Sequence, residues 1–142
     1  MSTSRDADPP TSTVELRTTA KVYLEDTDAL GVVYHANYLK YFERARTDYL
    51  ELHGAGLKGA QDRGFRFVVH ALRIEYHRPA VLGDRLEITT AIRRASPFRI
   101  VFEHRAFRAD EPEALASAKV DVVCIDVEGE LAEITDDLLR IE

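Results

Sequence analysis

Two aspartates, a glycine and a histidine lie close together in EDTDALGVVYHANY, residues 25–38. Asp26 and Asp28 flank Thr27 where a strand-like run ends. If the strand ran through both acids, their side chains would point to opposite faces, so at most one would face a given pocket. Gly31 permits a positive φ or a close backbone approach. Asn37 suits the N-cap of a helix opening at Tyr38. The first N–H groups of a helix lack intrahelical partners and carry positive potential, so an oxyanion forming there meets donors already in place. A carboxylate nearby can direct water, or itself, at the same carbonyl. These parts suit acyl transfer. They equally make a plain helix start, since an Asp there commonly caps the helix and a His commonly packs or hydrogen-bonds. The residues alone leave both readings open. The five histidines, His35, His53, His70, His77 and His104, show no metal-ligand spacing with Cys or carboxylates.

The elements that must hold this turn follow from periodicity. Glu15 to Asp26 alternates like a strand, weakly in its middle. From Tyr38 the apolar positions Tyr38, Tyr41, Phe42, Ala45, Tyr49 and Leu52 follow the helical period and make one wide stripe. His53 and Gly54 close that helix, with Gly54 suited to a left-handed cap. Gly54, Gly56 and Gly59 then read as a loose connection ending near Gly64. Strands are expected over Phe65–Arg78, Arg85–Ala95, Phe98–Arg108 and Ala114–Asp126, with Ser96-Pro97 as a hairpin link. A short strand, Leu131–Ile134, and a helical turn or frayed end from Asp136 complete the chain. One helix followed by a run of antiparallel strands is an α+β layout, with the sheet curled round the helix. A single helix cannot cover so long a sheet, and an uncovered edge invites pairing with another chain, so at least a dimer is expected.

The chain has 142 residues and is 45% hydrophobic, enough for one domain with a real core. Residues 1–13 are polar and read as a mobile tail before a single domain at 14–142. Cys124 is the one cysteine and sits in the apolar run VDVVCID, which suits a buried small hydrophobe. With no bilayer-length apolar run and no signal-like start, a reducing cytoplasmic location is the simplest expectation. The net charge of -6 argues against nucleic acid as a partner. Between Arg93 and Arg108, however, five arginines (Arg93, Arg94, Arg99, Arg105, Arg108) stand against one acid, Glu103. Such a strip suits a small anionic ligand, or else a solvated strand face.

The run EDTDALGVVYHANYLKYFERAR resembles the signature of hotdog-fold thioesterases. It is most similar to the 4-hydroxybenzoyl-CoA thioesterase branch and, within it, to the acyl-CoA thioesterases associated with the bacterial Tol-Pal system. Asp28, Gly31, Val32, Val33, Tyr34, His35, Asn37, Tyr38, Phe42, Glu43, Ala45 and Arg46 carry the match. It extends to Phe67–Pro79 and to Asp84-Arg85-Leu86-Glu87-Ile88, covering roughly Val22 to Ile125. The resemblance implies a hotdog fold: an antiparallel sheet of five or six strands wrapped round one long central helix. It implies a homodimer or homotetramer with the site at the dimer interface, and no cofactor. Asp28 matches the family's catalytic carboxylate, as nucleophile or general base. The backbone N–H of His35 matches the donor that polarises the thioester carbonyl. Tyr34 and Asn37 are expected at the substrate, and Arg93, Arg94, Arg99 and Lys119 are candidates for the CoA phosphates. Glu43, on the helix as in another thioesterase branch, reads as structural.

The expected activity is hydrolysis of an acyl-CoA to a free acid and CoA. One alternative keeps the reaction but puts the acyl group on an acyl carrier protein, docked on the arginine strip. Another is a binding module that holds an acyl ligand without cleaving it. Acyl selectivity would depend on which of Tyr38, Phe42, Phe65, Phe67 and Tyr76 line the pocket.

Overall fold

A computed structural model of the chain describes residues 15–141. The expected tail at 1–13 lies outside the described residues. Five strands form one antiparallel sheet: β1 (Glu15–Lys21), β2 (Arg66–Tyr76), β3 (Arg85–Ser96), β4 (Arg99–Arg108) and β5 (Ala114–Ile125). Their spatial order is β1-β3-β4-β5-β2, which leaves β1 and β2 as the edges. One long helix, α1 (Tyr38–His53), lies on one face. This is the hotdog arrangement, α+β with the sheet wrapped on its helix.

Period-two alternation decides which side chains meet α1. On β3 these are Leu86, Ile88, Thr90 and Ile92; on β4, Ile100, Phe102, His104 and Ala106; on β5, Ala116, Ala118, Val120, Val122 and Cys124. All are buried. The helix answers with Tyr38, Tyr41, Phe42, Ala45, Tyr49 and Leu50. Phe42 and Tyr49 are fully buried, each adding on the order of 2–3 kcal/mol of apolar burial. Leu52, expected in the stripe, is 64% exposed, and Leu50 takes its place. Cys124 is buried as expected, and burial pushes its thiol pKa up.

Four local expectations change. The first strand stops at Lys21, and Leu24–Asp26 forms a 3-10 turn, so Asp26 and Asp28 do not alternate across a strand. The glycine-rich connection holds a short helix, α2 (Gly56–Asp62). Gly54 has φ -173, which is extended rather than left-handed. It is glycine because a Cβ there would lie 2.1 Å from the Leu138 carbonyl oxygen. The expected strand Leu131–Ile134 is reduced to a single bridge, Ile125 to Leu131. Its end is not frayed: Leu138 and Leu139 are buried, and Leu139 bridges to Gly54.

Candidate functional site

The acid-bearing turn is a small hairpin built on the start of α1. Thr27 pairs antiparallel with Val33, and Asp28 N–H donates to Val32 C=O at 3.0 Å. Gly31 N–H donates to Asp28 C=O at 2.9 Å, and Gly31 takes φ 83, which a side chain would strain. Asp28 sits half-exposed at the first turn position, where its Oδ1 accepts Leu30 N–H at 2.9 Å. That Asx contact orients the carboxylate and leaves its second oxygen for other work. The returning strand is held by the β2–β3 connection: Val33 N–H donates to Ala80 C=O at 2.8 Å, and Val32 pairs with Val81. That connection is tied in turn by Arg108, which donates to Asp84 Oδ2 (3.0 Å) and Pro79 C=O (2.9 Å).

Asp26 and Asn37 are buried behind the turn, each 7% exposed. Asp26 Oδ1 accepts Asn37 Nδ2 at 3.0 Å and Oδ2 accepts Tyr23 N–H at 2.9 Å. Asn37 holds the N-cap position of α1 as expected, but its side chain does not cap the helix. It has helical φ and ψ and makes no capping bond, because a 3-10 turn, His35–Asn37, precedes α1. Its amide points inwards to Asp26 rather than out to the turn. At this helix start Tyr34 N–H goes to Asp26 C=O (2.9 Å) and Asn37 N–H to Tyr34 C=O (2.8 Å). Among the described residues, the backbone N–H groups of His35 and Ala36 are left at the front without such a bond. The Asp28 rung lies two residues out from the Asp26–Tyr34 rung, roughly 7 Å at the usual strand rise.

Aromatic rings frame this opening. Tyr76, at the end of the edge strand β2, donates its hydroxyl to His35 C=O at 2.8 Å. Its ring is 5.7 Å from that of Tyr38 and 6.1 Å from that of His35. Tyr34 and Tyr76 are about half-exposed, 46% and 45%. Tyr38 and Phe42, considered as pocket lining, belong instead to the core, while Phe65 and Phe67 are half-buried. Glu43 is exposed on α1.

The anion candidates are not gathered at this opening. The turn is attached beside Ala80 to Asp84, and Arg94 lies ten residues beyond Asp84, roughly 33 Å along β3. Arg93 and Arg99 share that far end, on the sheet face turned away from α1. Arg99 pairs with Asp121 at 3.2 Å and Lys119 with Glu103 at 3.7 Å. Arg94 donates to Pro97 C=O (3.4 Å) and Ile134 C=O (3.2 Å), pinning the C-terminal segment beside an open cavity of about 420 Å³. Arg93 Nε is buried, and among the described residues it has no hydrogen-bond partner.

Sequence reasoning missed a second buried polar cluster, in the centre of the sheet. His104 is 1% exposed and lies flat on Phe42, with centroids 4.8 Å apart and planes 3° apart. Its Nδ1 meets Thr90 Oγ1 at 3.1 Å and its Nε2 meets Arg46 Nη1 at 3.2 Å. Arg46 can only donate, so Nε2 accepts and the ring is neutral with its proton on Nδ1. Burial, and then the Arg46 charge, lower the His104 pKa from 6.5 to about 3. The signal was a histidine in register with Ile100, Phe102 and Ala106 on an inward face.

A family model described as the thioesterase-like superfamily matches residues 22–141. An acyl-CoA thioester hydrolase, YbgC, of Escherichia coli O6:H1 is 43% identical over 115 residues, covering 81% of this chain and 85% of that protein. The acyl-CoA thioesterase YbgC of Haemophilus influenzae is 43% identical over 108 residues, covering 75% and 78%. Among solved structures, a 1,4-dihydroxy-2-naphthoyl-CoA thioesterase from Synechocystis superposes with a TM-score of 0.81 at 27% identity, covering 87% of this chain and 92% of that one.

Proposed function

Because the chain belongs to the thioesterase-like superfamily, we propose that it hydrolyses an acyl-CoA thioester at the opening between Asp28 and the start of α1. Relatives 43% identical over most of the chain are acyl-CoA thioester hydrolases, which supports the reaction. The observation that supports the site is a half-exposed carboxylate on the turn that leads into α1, with the backbone N–H groups of His35 and Ala36 left without a backbone partner among the described residues at the start of that helix. Asp28, acting as general base, takes a proton from water, and the hydroxide attacks the carbonyl carbon. The N–H of His35 holds the oxyanion that develops. Collapse breaks the C–S bond, and the thiolate leaves as CoA thiol with the proton carried by Asp28. Direct attack by Asp28 through a mixed anhydride uses the same geometry. Tyr34 and Tyr76 offer apolar surface to the acyl group.

The working unit in this reading is at least a homodimer. β2 is an open edge carrying exposed Val69, Leu72 and Tyr76 (47%, 43% and 45%). A second β2 paired antiparallel across that edge brings the second copy's Arg66 end against Tyr76. The Arg66 end adjoins the β3–β4 hairpin, through Arg66 with Ile125 and Cys124 N–H with Phe98 C=O. Arg93, Arg94 and Arg99, remote from Asp28 within one chain, then approach the site of the other copy and can meet the CoA phosphates. The Arg99–Asp121 ion pair would have to be displaced by a CoA phosphate and by an acidic carrier protein alike. A lone buried cysteine fits a reducing compartment such as the cytoplasm. Among the described residues no helix is long and apolar enough to cross a membrane.

Free-thiol release from short, long and aromatic acyl-CoAs tests the reading. Turnover of at least one class is expected, and saturable binding of all of them without thiol release would sink it.

A further inference from the structure

We propose that Asp26 and Asn37 are a positioning pair for this reaction: a buried carboxylate–amide clamp that sets the spacing between Asp28 and the N–H groups at the start of α1. The inference rests on the proposed site and adds to it two residues that do not touch substrate.

The clamp joins the two segments that carry the chemistry. Asp26 stands two residues before Asp28, and Asn37 two residues after His35. Both side chains are buried and bonded to each other at 3.0 Å. The same two residues also fix the intervening backbone, Asp26 C=O taking Tyr34 N–H and Asn37 N–H reaching Tyr34 C=O. Asp26 uses both carboxylate oxygens, one for Asn37 Nδ2 and one for Tyr23 N–H. A carboxylate is suited to that place because both neighbours are donors. Behind the pair lies Tyr41, whose buried hydroxyl has no hydrogen-bond partner within 3.5 Å among the described residues. Burial, and then the Asp26 charge, raise the pKa of that phenol, so it stays protonated and puts no second negative charge beside the clamp. From the front, Tyr76 holds His35 C=O. The peptide that carries His35 N–H is thus tied through Tyr34 C=O to Asn37 N–H, and the peptide after it is held through His35 C=O by Tyr76.

A shift of one ångström in such a constellation costs about a hundredfold in rate. Asn37→Asp sets two carboxylates face to face, and is expected to lower kcat about a hundredfold with KM changed less than about threefold. Adding Asp26→Asn reverses the contact, with the donor amide now at position 26 and the acceptor carboxylate at 37, while the amide oxygen at 26 still accepts Tyr23 N–H. That double variant is expected to recover kcat to within about threefold of wild type, a rescue that general loss of stability would not give. In an Asp28→Asn background, Asn37→Asp should cost nothing further in kcat. The proposal is overturned if Asn37→Asp lowers the melting temperature but leaves kcat intact, if the swap fails to rescue, or if the losses add in the Asp28→Asn background. Should Asn37→Asp not fold, Asn37→Ser carries the same kcat and KM expectation with the same overturning result. A wild-type rate for Asp28→Asn alone would refute the functional reading, whereas the swap is measured with Asp28 intact and judges the clamp separately.

Discussion

Two buried polar clusters pin α1, one at its start and one at its middle, and they do different jobs. At the start, Asp26 and Asn37 tie together irregular backbone on either side of the candidate catalytic turn. At the middle, Arg46, His104 and Thr90 tie a regular helix to regular strands. The strands would pair without His104, because their backbone ladders and the surrounding apolar side chains already fix the register. The turn has no such redundancy, being held by two short bridges and a handful of hydrogen bonds. Changes in the central cluster should therefore register in folding stability, and changes at the start in turnover.

The largest stability effect is expected at the ring that shields the central cluster. Phe42→Ala removes a fully buried side chain stacked on His104 and should cost ~3–5 kcal/mol in urea unfolding. A loss below 1 kcal/mol would mean that the site collapses to fill the space.

His104 gives the comparison a pH signature. Its folded pKa, about 3, lies below its ordinary 6.5. The unfolded chain takes up a proton below pH 6.5 and the folded chain does not, so acid favours unfolding. Its share of stability is complete above pH 6.5 and is lost as pH falls towards 3, roughly a tenfold drop in the folding constant per pH unit. His104→Gln should flatten that stretch of the stability–pH curve while leaving thiol release at neutral pH unchanged. An unaltered slope would deny the histidine its assigned protonation, and a collapse in turnover would erase the distinction between the clusters.

Smaller effects are expected away from both. Gly54→Ala drives a Cβ into the Leu138 carbonyl and should cost ~1–3 kcal/mol by displacing the C-terminal segment. Arg17→Ala breaks an exposed ion pair with Glu87 (3.0 Å) and should change stability by about 0.5 kcal/mol or less. Thermal unfolding of both variants checks these values.

The regular elements were legible because they repeat. Period-two alternation placed four strands to within a few residues, and the 3.6-residue stripe placed α1, since both patterns are summed over many positions. Single decisions were less legible. Helical periodicity favoured Leu52, about 40° from the centre of the stripe, over Leu50, about 120° away, and the structure buries Leu50 instead. The glycines at 54, 56 and 59 suggested a loop, yet Gly56–Asp62 is a short helix, entered through Ala55, whose N–H donates to Leu138 C=O. At the site, the acid, glycine and helix start were readable as types. Which acid was buried was not, because it depends on the 3-10 turn that rotates Asp26 inwards and leaves Asp28 at the tip. Asn37 looked like a cap because Asn before a helix usually is one, and only the preceding 3-10 turn frees its side chain for Asp26. The arginine strip was visible as charge, but Asp121, the ion-pair partner of Arg99, sits on the neighbouring strand, where linear spacing does not show it.

The account stands most directly on the carboxylate at the tip of the turn. Asp28→Asn keeps the size of the side chain and an oxygen for the Leu30 N–H contact, so the fold should persist with an unchanged melting temperature. Thiol release from the best acyl-CoA substrate should fall by about two to four orders of magnitude, the range for losing a general base. A correctly folded Asp28→Asn protein that releases thiol at the wild-type rate would contradict the account.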